Sequence, residues 1–222
     1  MANGARFDQS SGMEDALSYL PRKSVTLCRK GQRIFDEHQA SPGLHLVVRG
    51  RVKVTVPVDD GTETVVDFFG TDDFFGESSL LAPPRYIERA TALESAALMS
   101  WTPKEIEEQA EKQPKLGIAL LQMLVKRSQD YQARLQSMAL EKTPERVVRA
   151  LLRFGERFGT PTDDGAVHIP PLTHQMISEY VGTSREIVTF QMNHLRQKGV
   201  LRYSRAGIEI FTDALRECLL VP

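Results

Sequence analysis

The sequence predicts an α+β protein in which an all-β N-terminal domain is followed by a long helix and then a C-terminal winged helix-turn-helix. Short apolar runs broken by glycines extend from Val25 to about Trp101, a pattern that is typical of strands and turns. Apolar residues then recur at helical spacing after Pro114, and near the C-terminus two helical segments meet at Gly182. The length of 222 residues favours two domains over one.

The composition excludes several classes of protein. The net charge is −1, so a nucleic-acid contact requires a local basic patch. The cysteines, Cys28 and Cys218, are too few for a disulfide framework or a four-cysteine zinc or iron–sulfur site, and we expect no metal. No apolar run approaches the roughly 18 residues of a membrane span. The polar segment Met1 to Gly12 lacks the apolar core of a signal peptide. We expect a soluble, cytoplasmic protein without a membrane partner.

The β-domain is clearest around one hairpin. Between Arg51 and Val58, valines alternate with other residues, which predicts a strand with its valines on one face. The turn residues Asp59-Asp60-Gly61 follow, and the sheet resumes at Thr64. The glycines that mark turns in this domain are Gly31, Gly43, Gly50, Gly61, Gly70 and Gly76.

A short helix is predicted over Lys104 to Glu111, and a longer one from Pro114 to about Glu141. The longer helix carries a heptad pattern, starting at Gly117, that predicts a parallel homodimer. Packing of the same stripe against the chain's own barrel is the alternative. The predicted dimer-interface residues are Leu121, Leu124, Ser128, Tyr131, Leu135 and Met138.

A new domain is predicted from Thr143, which is expected to cap a helix that has Pro144 in its first turn. The segment from Met138 to Thr143 is then the candidate hinge. The apolar stripe of this helix is predicted to bury Val147, Val148, Leu151, Leu152 and Phe154.

The C-terminal pattern is that of a helix-turn-helix. Thr173 is expected to cap a helix that Gly182 ends, since glycine adopts positive φ without steric cost. The run Thr183-Ser184-Arg185-Glu186 matches a capping box and opens a second helix that ends at Gly199. The inward-facing residues of this helix are predicted to be Ile187, Val188, Met192 and Leu195. Two short strands, Val200 to Tyr203 and Gly207 to Phe211, form the expected wing.

The local charge supports a DNA contact. Between Thr183 and Arg205 there are five basic residues and one acidic residue, a balance of +4 within a chain of net charge −1. The N-terminal end of the second helix is predicted to enter the major groove, where Arg185 suits guanine. Glu186 either accepts from cytosine or only closes the capping box. The predicted DNA-binding residues are Thr173, Gln175, Thr183, Ser184, Arg185, Glu186, Thr189, Phe190, Arg202 and Arg205.

Two motifs carry a family resemblance. The run from Val181 to Val188 resembles the recognition helix of the cyclic AMP receptor protein and fumarate–nitrate regulator (CRP/FNR) family. Phe75-Gly76-Glu77, followed by Arg89-Ala90-Thr91, resembles that family's phosphate-binding cassette. The resemblance implies a cyclic-nucleotide-binding-type β-roll as sensor over residues 20–113, after a disordered or helical leader over 1–19. It also implies a dimerisation helix and hinge over 114–142, and a winged helix-turn-helix domain over 143–222.

The resemblance also implies an effector site in the sensor domain. Glu77 and Arg89 stand where the family binds ribose hydroxyl and cyclic phosphate, and Arg127 stands where it has a further ligand-side arginine. The chain departs from the family at Ser78, and at Ala82-Pro83-Pro84 by a longer cassette. The candidate effector residues are Gly76, Glu77, Ser78, Arg89, Ala90, Thr91, Arg127, Tyr131 and Gln132. Three alternatives stay open: cyclic AMP, another nucleotide or small molecule, or no ligand, with Glu77 paired to an arginine.

The family usually has a second guanine-reading arginine where this chain has Phe190, so a different half-site is expected. Double-stranded DNA bearing an inverted repeat and a second copy of the chain are the expected partners, with RNA polymerase as a further candidate. An enzyme is disfavoured because no nucleophile–base pair, phosphate loop or metal-ligand cluster is visible. A signalling module whose winged helix contacts protein is the other rival. Haem ligation by a histidine and a redox role for Cys28 are minor alternatives. The histidines are His38, His45, His168, His174 and His194.

Overall fold

The computed structural model describes residues 12–37, 43–58, 63–81 and 86–220. The chain divides into two units within one long helix, between Gln129 and Asp130. The finer division into leader, sensor, dimerisation helix with hinge, and winged helix-turn-helix domain stays a prediction. Several sequence predictions lie outside the described residues: most of the leader, His38, the Asp59-Asp60-Gly61 turn and the Ala82-Pro83-Pro84 insertion.

The N-terminal unit contains two antiparallel sheets. The strands of both sheets, in chain order, are β1 (Thr26–Cys28), β2 (Arg33–Phe35), β3 (Leu44–Arg49), β4 (Val52–Pro57), β5 (Glu63–Phe69), β6 (Phe74–Phe75), β7 (Arg89–Ala92) and β8 (Ala96–Trp101). One sheet has the order β1-β8-β3-β6 and the other β2-β7-β4-β5. Two 3₁₀ turns, Ala16–Ser18 and Glu77–Leu80, accompany them. The predicted hairpin is confirmed, because β4 pairs antiparallel with β5.

The valine pattern of β4 is only partly buried. Val52 and Val54 lie in the core, whereas Val56 is 37% exposed and Val58 is 44% exposed. Thr55, which was expected on the other face, is buried, and its hydroxyl donates to Glu63 at 3.0 Å. The prediction that all four valines share one face is therefore wrong beyond Val54, because the pairing of β4 with β5 shifts register between Val54 and Thr55 and reverses the faces of the side chains that follow.

Helices close one side of the N-terminal unit. Helix α1 (Pro103–Lys112) begins with a capping box between Thr102 and Glu105. The first turns of α2 (Lys115–Leu140) bury Leu116 and Leu120, which join Trp101 and Phe74 in one apolar cluster. The N-terminal half of α2 is thus fixed to the sheet that contains β8.

The C-terminal unit consists of short helices on a small antiparallel sheet. Its elements are α3 (Thr143–Phe158), β9 (Thr160–Pro161), β10 (Val167–Ile169), α4 (His174–Val181), α5 (Arg185–Gln197), β11 (Leu201–Ser204), β12 (Gly207–Ile210) and α6 (Thr212–Glu217). The strand order is β11-β12-β10-β9. Helix α3 starts one residue earlier than expected, with Lys142 as its cap, and Leu152 on it is only half-buried.

The predicted helix-turn-helix and wing are confirmed. Gly182 adopts φ 72° after α4, and β11 pairs with β12. Val188, Met192 and Leu195 of α5 are buried. Ile187 is 43% exposed, so its predicted inward position is wrong. The packing of α5 uses positions 188, 192 and 195 at helical spacing, and Ile187 lies off that stripe.

Candidate functional site

Helix α5 begins at Arg185, and its N-cap is Ser184 rather than Thr183, which the capping-box pattern predicted. The Ser184 side chain accepts from the backbone N–H of Ile187 at 3.3 Å. The pKa of Glu186 is lowered by hydrogen bonds from its own backbone N–H and from the Ser184 hydroxyl. The predicted reciprocal capping box is therefore absent, but Glu186 stays in the first turn, ionised and exposed.

The outer face of α5 forms a shallow depression. Its lining residues are Arg185, Glu186, Thr189, Phe190 and Asn193. Four of these are among the predicted DNA-binding residues. Phe190 is 67% exposed and lies parallel to the ring of His194, with centroids 6.5 Å apart. A cation, a carboxylate, a hydroxyl and an aromatic ring are thus presented together to solvent.

Helix α4 supports this face through His174. The Thr189 hydroxyl donates to the carbonyl of Arg185 at 2.9 Å, and His174 Nδ1 lies 2.9 Å from the same hydroxyl oxygen. Burial and the nearby charge of Arg185 lower the pKa of His174. Because the hydroxyl proton is used for the carbonyl, the neutral imidazole donates from Nδ1 to Thr189.

Three other predicted DNA-binding residues precede α5 in the sequence. Thr173 accepts from the backbone N–H of Met176 at 3.1 Å, which leaves its hydroxyl proton for another acceptor. The Gln175 side chain donates to Glu179 at 2.9 Å, and Thr183 is half-buried after Gly182.

The two predicted wing arginines differ. Arg202 pairs with Asp164 and with Glu209, the latter at 2.9 Å, so two carboxylates offset its charge. Hydrogen bonds from Thr162 and Arg202 lower the pKa of Asp164 to about 2. Arg205 lies exposed at the tip of the wing, between β11 and β12.

Asn193 and its partner Tyr203 were not among the predicted site residues. The Tyr203 hydroxyl donates to Asn193 Oδ1 at 2.8 Å and so joins β11 to α5. The helical spacing of Asn193 from Thr189 and Phe190 was the signal that could have placed it on the same face.

The candidate effector residues fall into separate places. Gly76 adopts φ 82° before the Glu77–Leu80 turn, and a Cβ there would lie 2.9 Å from the carbonyl oxygen of Gly43. Glu77 forms an ion pair with Arg127, whose Nη2 also donates to the Phe74 carbonyl at 2.5 Å. The Ser78 hydroxyl donates to Glu88 at 2.8 Å.

Arg89 does not join Glu77. Ala90 and Ala92 of β7 point into the core, so Arg89 and Thr91 lie on the opposite face of that strand. The guanidinium contacts three carboxylates: Asp36 at 2.6 Å, Glu37 at 2.8 Å and Glu63 at 3.1 Å. Tyr131 and Gln132 belong to the part of α2 beyond Gln129.

Aromatic side chains fill the interior beside Gly76. Tyr86 stacks on Phe35 with centroids 3.6 Å apart, and Phe75 lies 5.9 Å from Phe35. Tyr86 was not among the predicted site residues, although it lies within the cassette segment. A tyrosine and its neighbours thus occupy the core next to the turn that carries Glu77.

The predicted dimer stripe is exposed in the single chain. Leu121 is 61% exposed, Leu135 66% and Met138 39%. Leu124 and Ser128 are exposed as well, and Tyr131 is half-buried. Within the N-terminal unit, the alternative that this stripe packs on the chain's own barrel does not hold for Leu121 and Leu124, since Leu116 and Leu120 make that contact instead.

The remaining predictions concern metal clusters, Cys28 and membrane spans. No group of three or more histidine, cysteine, aspartate or glutamate side chains there could hold a metal ion. Cys28 is buried in β1, and burial raises its pKa. Among the residues described, no helix has both the length and the apolar character needed to cross a bilayer.

Family models match both domains of this architecture. Residues 26–113 match the cyclic nucleotide-binding domain, and residues 145–217 match the Crp-like helix-turn-helix domain. The chain belongs to the CRP/FNR family of transcription regulators. The family's members are regulators rather than enzymes, and the second domain is the one through which they bind DNA.

Individual CRP/FNR proteins resemble the chain along most of its length. The CRP-like cAMP-activated global transcriptional regulator of Mycobacterium tuberculosis is 28% identical over 182 residues, 82% of this chain and 81% of the relative. The cyclic AMP receptor protein of Thermus thermophilus is 27% identical over 202 residues, 91% of this chain and 89% of the relative. The solved structure of FixK2 from Bradyrhizobium japonicum superposes with a TM-score of 0.77 at 21% identity, covering 87% of this chain and 96% of that one, and so shares the fold.

Proposed function

We propose that the chain is a homodimeric, sequence-specific DNA-binding regulator that reads an inverted repeat through α5. The observation that carries this proposal is the exposed face of α5, where Arg185, Glu186, Thr189 and Phe190 line one depression. This face begins at the helix N-terminus, the part of a recognition helix that meets base edges in the major groove.

Each side chain has a matching base chemistry. Arg185 suits guanine, whose N7 and O6 accept two hydrogen bonds from one guanidinium. The ionised carboxylate of Glu186 can accept from cytosine N4. Phe190 cannot donate to guanine but can contact a thymine methyl group. The half-site should therefore contain a G·C pair read by Arg185 and a thymine near Phe190.

The surrounding polar groups suit the phosphates. The Thr173 hydroxyl precedes α5 in sequence, and the exposed Arg205 follows it. Ser184 and Gln175 are already bonded to Glu186 and Glu179, and Arg202 to two carboxylates. We therefore assign the stronger phosphate contact of the wing to Arg205.

The exposed stripe on α2 supports dimerisation. Leu121 and Leu135 are more than 60% exposed on one stripe of the helix, and an exposed apolar stripe is typical of an interaction surface. A second copy of the same helix would cover them at heptad spacing. The two recognition helices of such a dimer would reach major grooves about 34–36 Å apart, which implies an inverted repeat.

The effector pocket has diverged from a phosphate-binding one. Three carboxylates surround Arg89, so an incoming phosphate would meet negative charge and would have to displace Asp36, Glu37 and Glu63. Tyr86 and Phe35 fill the core beside Gly76. Although two relatives are named for cyclic AMP, we propose that this chain binds its operator without it.

The test is a selection from random duplex DNA with the full-length protein and no nucleotide, followed by affinity measurements with and without added cyclic AMP. We expect an inverted repeat, an affinity that falls steeply as salt rises, and no response to cyclic AMP. Recovery of no sequence under either condition would contradict the DNA-reading function. Recovery only with cyclic AMP would preserve that function and contradict the diverged pocket.

A further inference from the structure

The wing orients one side chain on the reading face of α5. Tyr203 of β11 donates its hydroxyl proton to Asn193 Oδ1 at 2.8 Å. The tyrosine is itself held on two sides, by the guanidinium of Arg196 5.2 Å from its ring centroid and by the edge-on ring of His174 at 5.5 Å. The hydroxyl that meets Asn193 is thus in a defined position.

This contact decides how the carboxamide of Asn193 is presented. The amide oxygen accepts the hydrogen bond from Tyr203 of the wing. The Nδ2 amino group, which can donate two hydrogen bonds, has no bond to another described residue. Asn193 is half-buried and lines the depression that also contains Phe190 and Arg185. It lies eight positions after Arg185, which is about 12 Å along a helix.

We propose, on the basis of the DNA-reading function above, that Asn193 is a further specificity-determining residue and that Tyr203 is its positioning residue. Held by Tyr203, Asn193 donates to hydrogen-bond acceptors on the DNA. An asparagine with a free carboxamide favours adenine, because its oxygen accepts from N6 while its nitrogen donates to N7. With the oxygen turned to the wing, Asn193 instead favours acceptor-only groups.

The acceptor can belong to a base edge or to the backbone. Guanine N7 and O6 and thymine O4 are acceptors in the major groove, and phosphate oxygens are acceptors of the same kind. The two sources give different results when the residue is changed. Loss of a base contact alters sequence preference at one position, whereas loss of a phosphate contact weakens every site alike.

The experiment compares four full-length variants with the parent chain by selection from random duplexes and by affinity for single-base operator variants. Asn193→Ala removes the carboxamide, and Asn193→Asp keeps the acceptor for Tyr203 but removes the donors. Tyr203→Phe releases the carboxamide without removing it. Gln191→Ala truncates a matched carboxamide on the other side of α5 and serves as the control, and thermal unfolding of each variant checks that it is folded.

For a base contact we expect Asn193→Ala to lose about fivefold or more of the discrimination at one operator position, with the rest of the half-site unchanged. Asn193→Asp should lose the same discrimination and, because it adds a negative charge, should also bind every site more weakly. Tyr203→Phe should shift that same position toward adenine. For a phosphate contact Asn193→Ala should weaken all sites by a similar factor and leave the sequence preference unchanged. Gln191→Ala should match the parent in either case.

Parent-like affinity and preference in both folded Asn193 variants would overturn the assignment of Asn193. An effect of the Asn193 variants with none from Tyr203→Phe would overturn the positioning role of Tyr203. If the parent itself selects no sequence, the DNA-reading function fails and this inference fails with it. Because the parent is measured first, the two failures are distinguishable.

Discussion

His45 Nε2 lies 2.7 Å from the hydroxyl oxygen of Tyr86 inside the N-terminal unit. The same hydroxyl accepts from the backbone N–H of Gly43 at 2.6 Å and donates to the Gly43 carbonyl at 2.9 Å. Its proton is used, so the imidazole must donate from Nε2, while Nδ1, 2.6 Å from Ser100 Oγ, accepts. This arrangement requires the neutral form of His45, and burial lowers its pKa to about 4.

The first prediction concerns stability at mildly acidic pH. Below the ordinary histidine value of 6.5 the unfolded chain takes up a proton at His45, whereas the folded chain does not until about pH 4. Stability is therefore full above pH 6.5 and decreases as the pH falls, by about 2 kcal/mol at pH 5 from this residue alone. The measurement is urea unfolding of parent and His45→Gln at pH 7.5 and pH 5. Between pH 7.5 and pH 5 the free energy of unfolding of the variant should fall by about 2 kcal/mol less than that of the parent. Equal decreases in the two proteins would contradict the assignment of a neutral, buried His45.

The second prediction concerns base reading by Arg185. Arg185→Ala should cost about 1–3 kcal/mol of binding at one operator position and relax the preference for guanine there. Arg205→Ala, on the exposed wing tip, is the matched control and should weaken all sequences alike while reducing the salt dependence. Affinities for a set of single-base operator variants measure both effects. An unchanged preference in Arg185→Ala would show that this arginine does not read a base.

The third prediction concerns the dimer stripe. Leu121→Glu places a charge at a 61% exposed leucine, where a partner helix would have to bury it, so the dimer should dissociate. Ala133→Glu is the control, because Ala133 is exposed on another face of α2. Sedimentation velocity should give a monomer for the first variant and a dimer for the second. A dimeric Leu121→Glu protein would place the interface elsewhere.

The fourth prediction concerns the turn between α4 and α5. Gly182 has φ 72°, and a Cβ there would lie 3.0 Å from the Cε atom of Met138. Gly182→Ala should destabilise the C-terminal unit by about 1–2 kcal/mol and weaken DNA binding, since the turn sets the angle between the two helices. The control is Gly165→Ala, because Gly165 has a similar φ of 81° and nothing lies within 4 Å of a Cβ placed there. It should lower the melting temperature without changing operator affinity in the folded protein, and an equal effect of both variants on affinity would argue against a role for the turn angle.

Local signals were enough to predict much of the fold. The cap at Thr173, the glycine turn at 182 and the wing strands are encoded by residues that are neighbours in the chain. The family resemblance rested on the same local runs, in particular the start of α5. Even there, one detail depended on geometry, since Ser184 rather than Thr183 caps the helix. Two adjacent hydroxyl residues offer the same pattern, and the backbone conformation chooses between them.

The pairing of charged side chains was decided by the tertiary structure alone. The cassette resemblance placed Glu77 with Arg89, but Glu77 pairs with Arg127 of α2, and Arg89 pairs with carboxylates from β5 and from the end of β2. A strand turns successive side chains to opposite faces, so one residue of register decides which face an arginine takes. The hydrogen bond from the Tyr203 hydroxyl to Asn193 likewise joins two different elements, β11 and α5. Period, caps and turns are properties of a segment, whereas such contacts exist only once distant segments have packed together.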